Sequence, residues 1–370
     1  MAGLYFHIPF CKRICAYCDF FRVAELKLMP NVLQAMREEL REQRDFLSDK
    51  RISTIYFGGG TPSLYSPLEL QGLINEASQL FDCSTLDEVT LEANPDDVND
   101  EWMAKLCDTQ FNRVSLGVQS FDDRELKFMN RRHSAKEAIL AVERLQRAGI
   151  NNITIDLIFG VDGFDEKVLE SNINHALSLG VQHISAYHLT IEPATAFGRR
   201  KSRGEMREVA EEQSEKEFRM LHDRLTEAGY EHYEVSNYAL PDCRAKHNSS
   251  YWRGVQYLGI GAGAHSFNGV ERHYSEQGVR EYIEQREYTR EQLTDTDKFN
   301  EYIMTSLRCT EGISLRTISE RFGEAYMTRV ADLSQTWVAS GDLLREGDVL
   351  RIPSERFLIS DAVIESLFEV

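Results

Sequence analysis

The sequence of 370 residues has 8 prolines, no apolar run that approaches the roughly 18 residues of a membrane-spanning helix, and fewer basic than acidic residues. With 42% hydrophobic and 28% charged residues, the composition is typical of a globular protein and excludes extended disorder. The 42 Lys and Arg against 60 Asp and Glu give a net charge of −18, which would repel phosphate backbones and anionic membranes. We therefore predict no nucleic-acid partner and no transmembrane segment.

The sequence also lacks the features of a secreted protein. Residues 1–9 contain no basic segment followed by an apolar one, so no signal peptide is expected. The seven cysteines are an odd number, and three of them lie within eight residues. This pattern favours a metal site in a reducing compartment over a disulfide framework. We therefore expect a cytoplasmic protein.

Short apolar segments rich in β-branched and aromatic residues alternate with segments of helical periodicity. The predicted strands cover 4–8, 52–57, 88–91, 113–118, 153–159 and 183–187, and the predicted helices cover 31–47, 67–80, 101–109, 135–148 and 166–179. Ser66 and Pro67 indicate the start of a helix, and Gly149, Gly180 and Gly229 indicate helix ends. Six βα units predict an α/β fold, either an incomplete or closed parallel barrel or a doubly wound sheet.

The later part of the chain has a different pattern. Residues 205–228 predict one long, charged amphipathic helix. After residue 295, short helical segments are followed by 341–344 and 349–352, which predict a small β-hairpin around 346–348. We predict three parts: a barrel core at 1–235, an extension at 236–295, and a small α+β C-terminal module at 296–370.

Cys11, Cys15 and Cys18 directly follow the first predicted strand, in a loop that can fold three thiolates around one inorganic centre. Three thiolates leave one iron of a [4Fe–4S] cluster open, which is useful only if another ligand binds there. The alternative is a structural zinc site, which requires a fourth protein ligand, and His7 is the candidate. We predict the three cysteines as ligands of a cluster.

The spacing Cys-x-x-x-Cys-x-x-Cys, with Tyr17 before the last cysteine, resembles the signature of the radical S-adenosylmethionine (SAM) superfamily. The resemblance implies that SAM chelates the open iron and that electron transfer from the cluster cleaves its sulfonium. It also implies a partial (β/α)6 barrel with additional strands. In a barrel of this kind, binding residues lie at the carboxyl ends of the strands, where Gly59, Glu92, Gln119 and Asp156 fall.

Most of the chain further resembles the subfamily of oxygen-independent coproporphyrinogen oxidase and its relative, the HemW family of haem chaperones. The similar segments are 5–11, 58–63, 92–95, 115–120, 131–133, 156–160 and 233–238. By position, Tyr5, Gly59 and Glu92 are similar to contacts with the cluster-bound SAM. The residues similar to a second SAM site of the oxidase are Tyr17, Gly60, Thr61, Gln119, Arg131 and Asp156.

Two features favour the haem chaperones over the oxidase. The oxidase carries a further cysteine two residues after its last cluster ligand, where this chain has Phe20. The segment 247–252 is similar to the H-N-x-x-Y-W element of the haem chaperones, which implies His247 as an axial ligand of haem iron. His265, in the glycine-rich segment 259–265, is expected to be a buried structural histidine.

The resemblance thus predicts a haem chaperone that binds a [4Fe–4S] cluster, SAM and haem, and passes haem to acceptor proteins that the sequence does not identify. The alternative is an oxygen-independent coproporphyrinogen III dehydrogenase, a radical SAM enzyme that decarboxylates two propionates. Because the same cluster ligands serve both, the sequence leaves open whether the chain is an enzyme. The resemblance is compatible with a monomer or a haem-dependent homodimer.

Overall fold

The computed structural model describes residues 1–369. The strands are β1 (Ala2–Ile8), β2 (Ile52–Gly59), β3 (Glu88–Ala93), β4 (Arg113–Gln119), β5 (Asn152–Phe159), β6 (His183–His188), β7 (Glu231–Glu234), β8 (Asn237–Ala239), β9 (Tyr257–Ile260), β10 (His265–Phe267), β11 (Glu271–Tyr274), β12 (Thr289–Gln292), β13 (Ile313–Ser314), β14 (Leu344–Glu346) and β15 (Val349–Arg351). The helices are α1 (Met29–Glu42), α2 (Pro67–Leu80), α3 (Asp100–Leu106), α4 (Asp123–Phe128), α5 (Ala135–Arg147), α6 (Glu166–Leu179), α7 (Ala196–Ser202), α8 (Glu211–Glu227), α9 (Lys246–Trp252), α10 (Val279–Glu284), α11 (Asp295–Leu307), α12 (Leu315–Phe322), α13 (Glu324–Ser340) and α14 (Ser360–Ser366).

One large sheet forms the body of the protein. Its strand order is β12-β11-β10-β9-β1-β2-β3-β4-β5-β6-β8-β7, and the seven strands from β9 to β6 are parallel. The antiparallel strands β10 to β12 extend one side of this parallel region, and β8 and β7 extend the other. The sheet is therefore a partial barrel with additional edge strands, as the sequence predicted.

All six predicted strands are confirmed as β1 to β6, and the five predicted helices correspond to α1, α2, α3, α5 and α6. Ser66 forms a capping box with Glu69 at the start of α2, where Pro67 is the first helical residue. Gly149, Gly180 and Gly229 have φ of 84°, 61° and 91°, a conformation that glycine adopts at helix ends. These local signals therefore determine where the crossover helices begin and end.

Two predicted helix boundaries are wrong by five residues or more, and α3 ends at Leu106, three residues before its predicted end. α1 ends at Glu42 rather than at residue 47, and the helix predicted over 205–228 begins only at Glu211. α7 ends at Ser202, and Gly204 then turns the chain with a φ of 71°. In the described part of the chain, no helix has the length and apolar character needed to cross a membrane.

The residues after 295 form helices α11 to α14 around a small sheet of order β13-β15-β14. The predicted hairpin is confirmed by β14 and β15, which pair on either side of Gly347. Backbone hydrogen bonds join this part to the barrel: Val235 donates to Arg308 over 3.0 Å, and Thr310 donates to Tyr233 over 3.1 Å. The C-terminal part therefore packs beside β7, at one edge of the large sheet.

The amino end of the barrel is filled by a buried polar cluster under α9. Glu88 accepts hydrogen bonds from the backbone N–H groups of Lys246 and His247, at 2.8 and 3.0 Å, and lies 4.0 Å from the guanidinium of Arg113. Glu88 and Arg113 are 2% and 1% exposed. A carboxylate at the start of a helix is stabilised by the free N–H groups there. α9 therefore closes the amino end of the barrel.

A second buried carboxylate joins α1 to the strands after α9. Glu39 accepts hydrogen bonds from the Gly261 N–H over 2.7 Å, the Tyr282 hydroxyl over 2.6 Å and the Tyr288 hydroxyl over 2.8 Å. Burial raises the pKa of this carboxyl group, and its three donors oppose that shift. The three hydrogen bonds compensate for the lost hydration of the group.

Glu39→Ala is expected to lower the free energy of unfolding by about 2–4 kcal/mol, because it leaves three donors without their acceptor. Urea unfolding followed by circular dichroism measures the change. Gln34→Ala, on the exposed side of the same helix, is the control and should change stability by less than about 1 kcal/mol. Equal effects of the two substitutions would contradict the role assigned to Glu39.

Candidate functional site

The loop of the three cysteines begins where β1 ends and is closed by backbone pairing. Cys11 donates its N–H to the Val23 carbonyl over 3.0 Å, and Val23 donates to the Pro9 carbonyl over 2.7 Å. Cys11 is buried, and Cys15 and Cys18 are partly exposed. The three residues line one cavity of about 440 Å³ at the carboxyl ends of the parallel strands. This volume is within the range of pockets that enclose a small ligand.

The three thiols suit a cluster better than a single metal ion. Among residues 1–369, no three His, Cys, Asp or Glu side chains converge as ligands of one ion must. A [4Fe–4S] cluster makes no such demand, because each thiolate binds a different iron atom. Two donors already face the sulfurs: Thr61 Oγ1 lies 3.4 Å from Cys11 Sγ, and an Arg131 nitrogen lies 3.3 Å from Cys15 Sγ.

These donors favour the thiolate form that iron binds. Burial raises the pKa of Cys11, while the hydrogen bond from Thr61 and the charges of Arg22 and Arg131 act in the opposite direction. The alternative zinc ligand, His7, already has partners for both ring nitrogens. Its Nδ1 lies 3.0 Å from the Tyr5 hydroxyl, and its Nε2 lies 3.1 Å from the Phe21 carbonyl.

Glycines at the end of β2 and directly after it are required by the close packing of two strand ends. Gly59 has a φ of 106°, and a Cβ atom at this residue would lie 2.6 Å from the His7 ring. A Cβ atom at Gly60 would lie 2.7 Å from the Phe10 carbonyl oxygen. No other residue fits these positions, so the backbone of 59–61 forms one wall of the cavity.

Glu92, near the end of β3, is hydrogen-bonded to the neighbouring strand β2 at the floor of the cavity. It accepts hydrogen bonds from the Tyr56 hydroxyl over 2.7 Å and from the Gly59 N–H over 3.2 Å. Burial raises the pKa of Glu92 to about 7, a shift that the charge of Asp156 increases and the Tyr56 hydrogen bond opposes. The charged form of such a carboxylate is stabilised by any cation or hydroxyl group that a ligand places beside it.

Arg131 connects the cysteine loop to the ends of β3 and β4. Besides Cys15, it donates to the Asn94 Oδ1 over 2.6 Å and to the Gly117 carbonyl, and its Nε is buried without a partner among the described residues. Burial raises the pKa of Asp156 to about 6, while Arg131 lowers it. Gln119 lines the cavity with a φ of 69°, which is rare for a residue other than glycine and is typical of functional sites.

Eight of the predicted SAM residues therefore line the same cavity as the cysteines: Tyr17, Gly59, Gly60, Thr61, Glu92, Gln119, Arg131 and Asp156. Tyr5 and His247 lie deeper in the barrel. The Tyr5 ring stacks on that of Tyr56, with centroids 6.1 Å apart, and so lies one layer behind Glu92.

His247 is fully buried, and both of its ring nitrogens have partners. Nδ1 lies 2.8 Å from the Thr54 hydroxyl, and Nε2 lies 2.8 Å from the Tyr251 hydroxyl. Its ring also stacks on Tyr56, with centroids 5.1 Å apart. A bond from His247 to haem iron would require one of these two hydrogen bonds to break.

His265, by contrast, is exposed rather than buried as the sequence predicted. It begins β10, a short strand near the edge of the large sheet, and its ring stacks on Tyr274 at a centroid distance of 4.8 Å. The glycine-rich segment before it does pack closely, but that packing involves the backbone of 259–263. The side chain of the residue after this segment points to solvent.

Arg22 and Asn94 line the cavity and were not predicted as site residues. The Arg22 guanidinium donates to the carbonyl of Phe20 over 2.5 Å and to that of Cys18, so it braces the end of the cysteine loop. The sequence signal for Arg22 is that it is a basic residue four positions after the last cysteine of the motif. Asn94 could be predicted only as part of the segment after β3, because its partner Arg131 is distant in sequence.

A family model described as the radical SAM superfamily matches residues 5–176, and one described as the HemN C-terminal domain matches residues 293–355. Coproporphyrinogen III oxidase (HemN) from Escherichia coli has the same fold, with a TM-score of 0.85 at 18% identity over 99% of this chain and 90% of its own. The parallel sheet, the three cysteines and the first match show that residues 5–176 form a domain of the radical SAM superfamily. A domain of this superfamily implies a [4Fe–4S] cluster and SAM, as predicted.

Curated relatives identify the family more narrowly. The heme chaperone HemW of Lactococcus lactis is 36% identical over 86% of this chain and 84% of its own length. Those of Bacillus subtilis and Mycobacterium tuberculosis are 34% and 33% identical, over 88% and 99% of this chain and 88% and 94% of theirs. The chain belongs to the family of HemW heme chaperones. This confirms the predicted family and favours it over the dehydrogenase alternative.

Cys18→Ala is expected to abolish stable cluster assembly, because two thiolates cannot hold a cluster whose third and fourth irons are open. Iron and sulfide content and visible absorbance after anaerobic reconstitution measure the effect. Cys107→Ala removes an exposed thiol outside the cavity and is the matched control. Retention of a full cluster by Cys18→Ala would exclude Cys18 as a ligand.

Glu92→Gln is expected to stabilise the cofactor-free protein at pH ~8, because it removes a buried charge. The free energy of unfolding should rise by on the order of 1 kcal/mol, a value that includes a reduction for the water that reaches the cavity. The pKa of Glu92 is about 7 in the folded protein against an ordinary 4.5. Between these values the folded state binds more protons than the unfolded state, so this carboxyl group lowers stability as the pH rises. The gain should disappear near pH ~4, where both states are protonated.

Urea unfolding at both pH values tests this prediction, and Glu143→Gln, on the exposed side of α5, is the control. The same gain at both pH values would show that the effect does not come from ionisation of Glu92. A gain with Glu143→Gln would show that it comes from net charge.

Proposed function

We propose that this protein is a haem chaperone that binds haem beside a cluster-containing site and transfers it to haem-requiring acceptor proteins. The family relationship supports this function, since the curated relatives are named heme chaperones. The observation that carries the proposal is the apolar surface around the mouth of the cavity. We call this surface the mouth rim: Phe20 and Tyr187, which line the cavity, and Ile14 and Phe21, whose sequence neighbours line it.

The mouth rim is unusual for a protein surface. Its side chains are 43%, 66%, 37% and 42% exposed, in the order given, and Phe20 is the most exposed large apolar side chain of the described residues. An exposed cluster of large apolar groups beside a cavity is typical of a binding site for an apolar ligand. The flat macrocycle of haem is such a ligand, and aromatic side chains pack well against it.

For the cavity, and for Tyr5 in the layer behind it, we propose the residue roles that the sequence predicted. Cys11, Cys15 and Cys18 hold the cluster, and Tyr5, Gly59 and Glu92 support the SAM bound to it. The residues proposed for further SAM contacts are Tyr17, Gly60, Thr61, Gln119, Arg131 and Asp156. When bound, the cluster supplies an iron site for SAM. The chain contributes the three thiolates, the cation of Arg131 beside Cys15, and the carboxylates of Glu92 and Asp156 in the cavity wall.

We also retain the predicted division into residues 1–235, 236–295 and 296–370 as a proposal, together with a cytoplasmic location. Three neighbouring thiols that must stay reduced to bind iron support a reducing compartment. His247 remains a predicted ligand of haem iron, and this role requires release of its contacts with Thr54 or Tyr251.

One preparation tests the proposed function against its alternative. The protein with reconstituted cluster and SAM is loaded with haem, mixed with apomyoglobin, and assayed for haem transfer by absorbance. The same preparation is incubated anaerobically with coproporphyrinogen III and a reductant. We expect haem transfer and no protoporphyrinogen. Porphyrinogen turnover without haem binding would establish the dehydrogenase function, and the Cys18→Ala protein is the control for cluster dependence.

A further inference from the structure

Asn94, the residue directly after β3, lies between the two donors that face the cysteine sulfurs. Its amide nitrogen donates to Thr61 Oγ1 over 3.2 Å, and its Oδ1 accepts from an Arg131 nitrogen over 2.6 Å. Thr61 Oγ1 in turn lies 3.4 Å from Cys11 Sγ, and the other terminal nitrogen of Arg131 lies 3.3 Å from Cys15 Sγ. One side chain therefore contacts both of the groups that reach Cys11 and Cys15.

The chemistry of these groups fixes the direction of each hydrogen bond. A guanidinium only donates, so the Asn94 atom beside Arg131 is the amide oxygen and the atom beside Thr61 is the nitrogen. Because that nitrogen donates to the Thr61 hydroxyl, the single hydrogen of the hydroxyl is free for Cys11 Sγ, its one acceptor among residues 1–369. A chain of three hydrogen bonds thus runs from the cation of Arg131 to the Cys11 sulfur, and bonds in such a chain polarise one another.

Asn94 is itself held by the residues around it. Its backbone N–H donates to Ser63 Oγ over 3.1 Å, and its carbonyl accepts from the Asp97 N–H over 3.0 Å. Ser63 Oγ donates to the Asp97 carboxylate over 2.9 Å, and that carboxylate pairs with Lys12 at 2.9 Å and with Arg132 at 3.0 Å. Since Lys12 belongs to the cysteine loop, these contacts fix the position of Asn94 relative to that loop.

Hydrogen bonds to the sulfurs have a defined effect on a [4Fe–4S] cluster. Reduction adds an electron to a group whose thiolates already carry negative charge. Donors directed at the sulfurs therefore stabilise the reduced form more than the oxidised form, and they raise the reduction potential.

We propose that Asn94 is a positioning residue that directs the donors of Thr61 and Arg131 at two of the three cluster sulfurs and so raises the reduction potential of the cluster. This inference rests on the cluster-containing site of the proposed function and is independent of where haem binds. It adds a second role to Thr61 and Arg131, which are also proposed SAM contacts. Asn94 acts on the sulfurs through these two residues.

The test is a redox titration of the cluster-reconstituted protein without SAM, followed by electron paramagnetic resonance of the reduced cluster. Asn94→Leu keeps the approximate shape of the side chain but removes both of its hydrogen bonds. We expect the ratio of reduced to oxidised cluster at a fixed potential to fall about tenfold, as is typical of changes beside metal ligands. This fall corresponds to a midpoint potential lower by about 59 mV for a one-electron couple. Asn75→Leu, the same change at an exposed position of α2, is the control and should leave the potential unchanged.

Substitutions of Thr61 test whether Asn94 acts through the chain of donors. Thr61→Val removes the hydroxyl that faces Cys11 and Thr61→Ser retains it, so the midpoint potential should fall in the first variant alone. In the double variant of Asn94→Leu and Thr61→Val, the shift should be smaller than the sum of the two single shifts, because both changes act on the same sulfur. An unchanged potential in Asn94→Leu, or additive shifts in the double variant, would overturn the role of Asn94.

Iron and sulfide content show whether each variant holds a complete cluster. If Asn94→Leu holds none, the comparison of Thr61→Val with Thr61→Ser decides: a lower potential in Thr61→Val supports the chain of donors, and equal potentials overturn it. Failure of the unsubstituted protein to assemble a cluster would instead refute the cysteine ligands of the proposed function, so the two failures are distinguishable.

Discussion

The parallel pairing of β1 to β6 is the constraint on which the rest of the structure depends. Because the six strands run in the same direction, their carboxyl ends lie at one side of the sheet, and residues from 11 to 192 meet around one cavity. The contacts between them join loops that are far apart in sequence, as in the bond from Arg131 to Cys15. A change in the register of one strand would move its contribution out of the cavity.

The cavity contains groups that are unfavourable when it is empty. Glu92 and Asp156 have raised pKa values because burial disfavours their charge, and Arg131 has an unpaired nitrogen. Each of these groups gains when a ligand supplies an opposite charge or a hydrogen bond. The free energy lost in the empty protein is therefore available as affinity, and this relation is common in binding sites.

Much of this site could be predicted because its signals are local. The Cys-x-x-x-Cys-x-x-Cys spacing, the glycines at 58–60 and the polar residues at strand ends can be read from a few neighbouring residues. The environment of a histidine cannot be read from its neighbours in sequence. His247 and His265 both belong to plausible motifs, yet pairing of β9 with β1 places only the His247 side chain of the preceding α9 inside the barrel, while β10 carries His265 to solvent. Burial depends on such distant pairings, as do the partners of Arg22 and Asn94.

The buried cluster of Glu88, Arg113 and His247 under α9 also has a consequence for assembly. Since it fills the amino end of the barrel, the mouth is the route by which the described part of the chain can be loaded. The three cysteines lie at this mouth, and Cys15 and Cys18 are partly exposed there. A group bound by them would narrow the opening through which ligands reach the deeper wall at Glu92, so the closed amino end makes the order of loading part of the assembly of this protein.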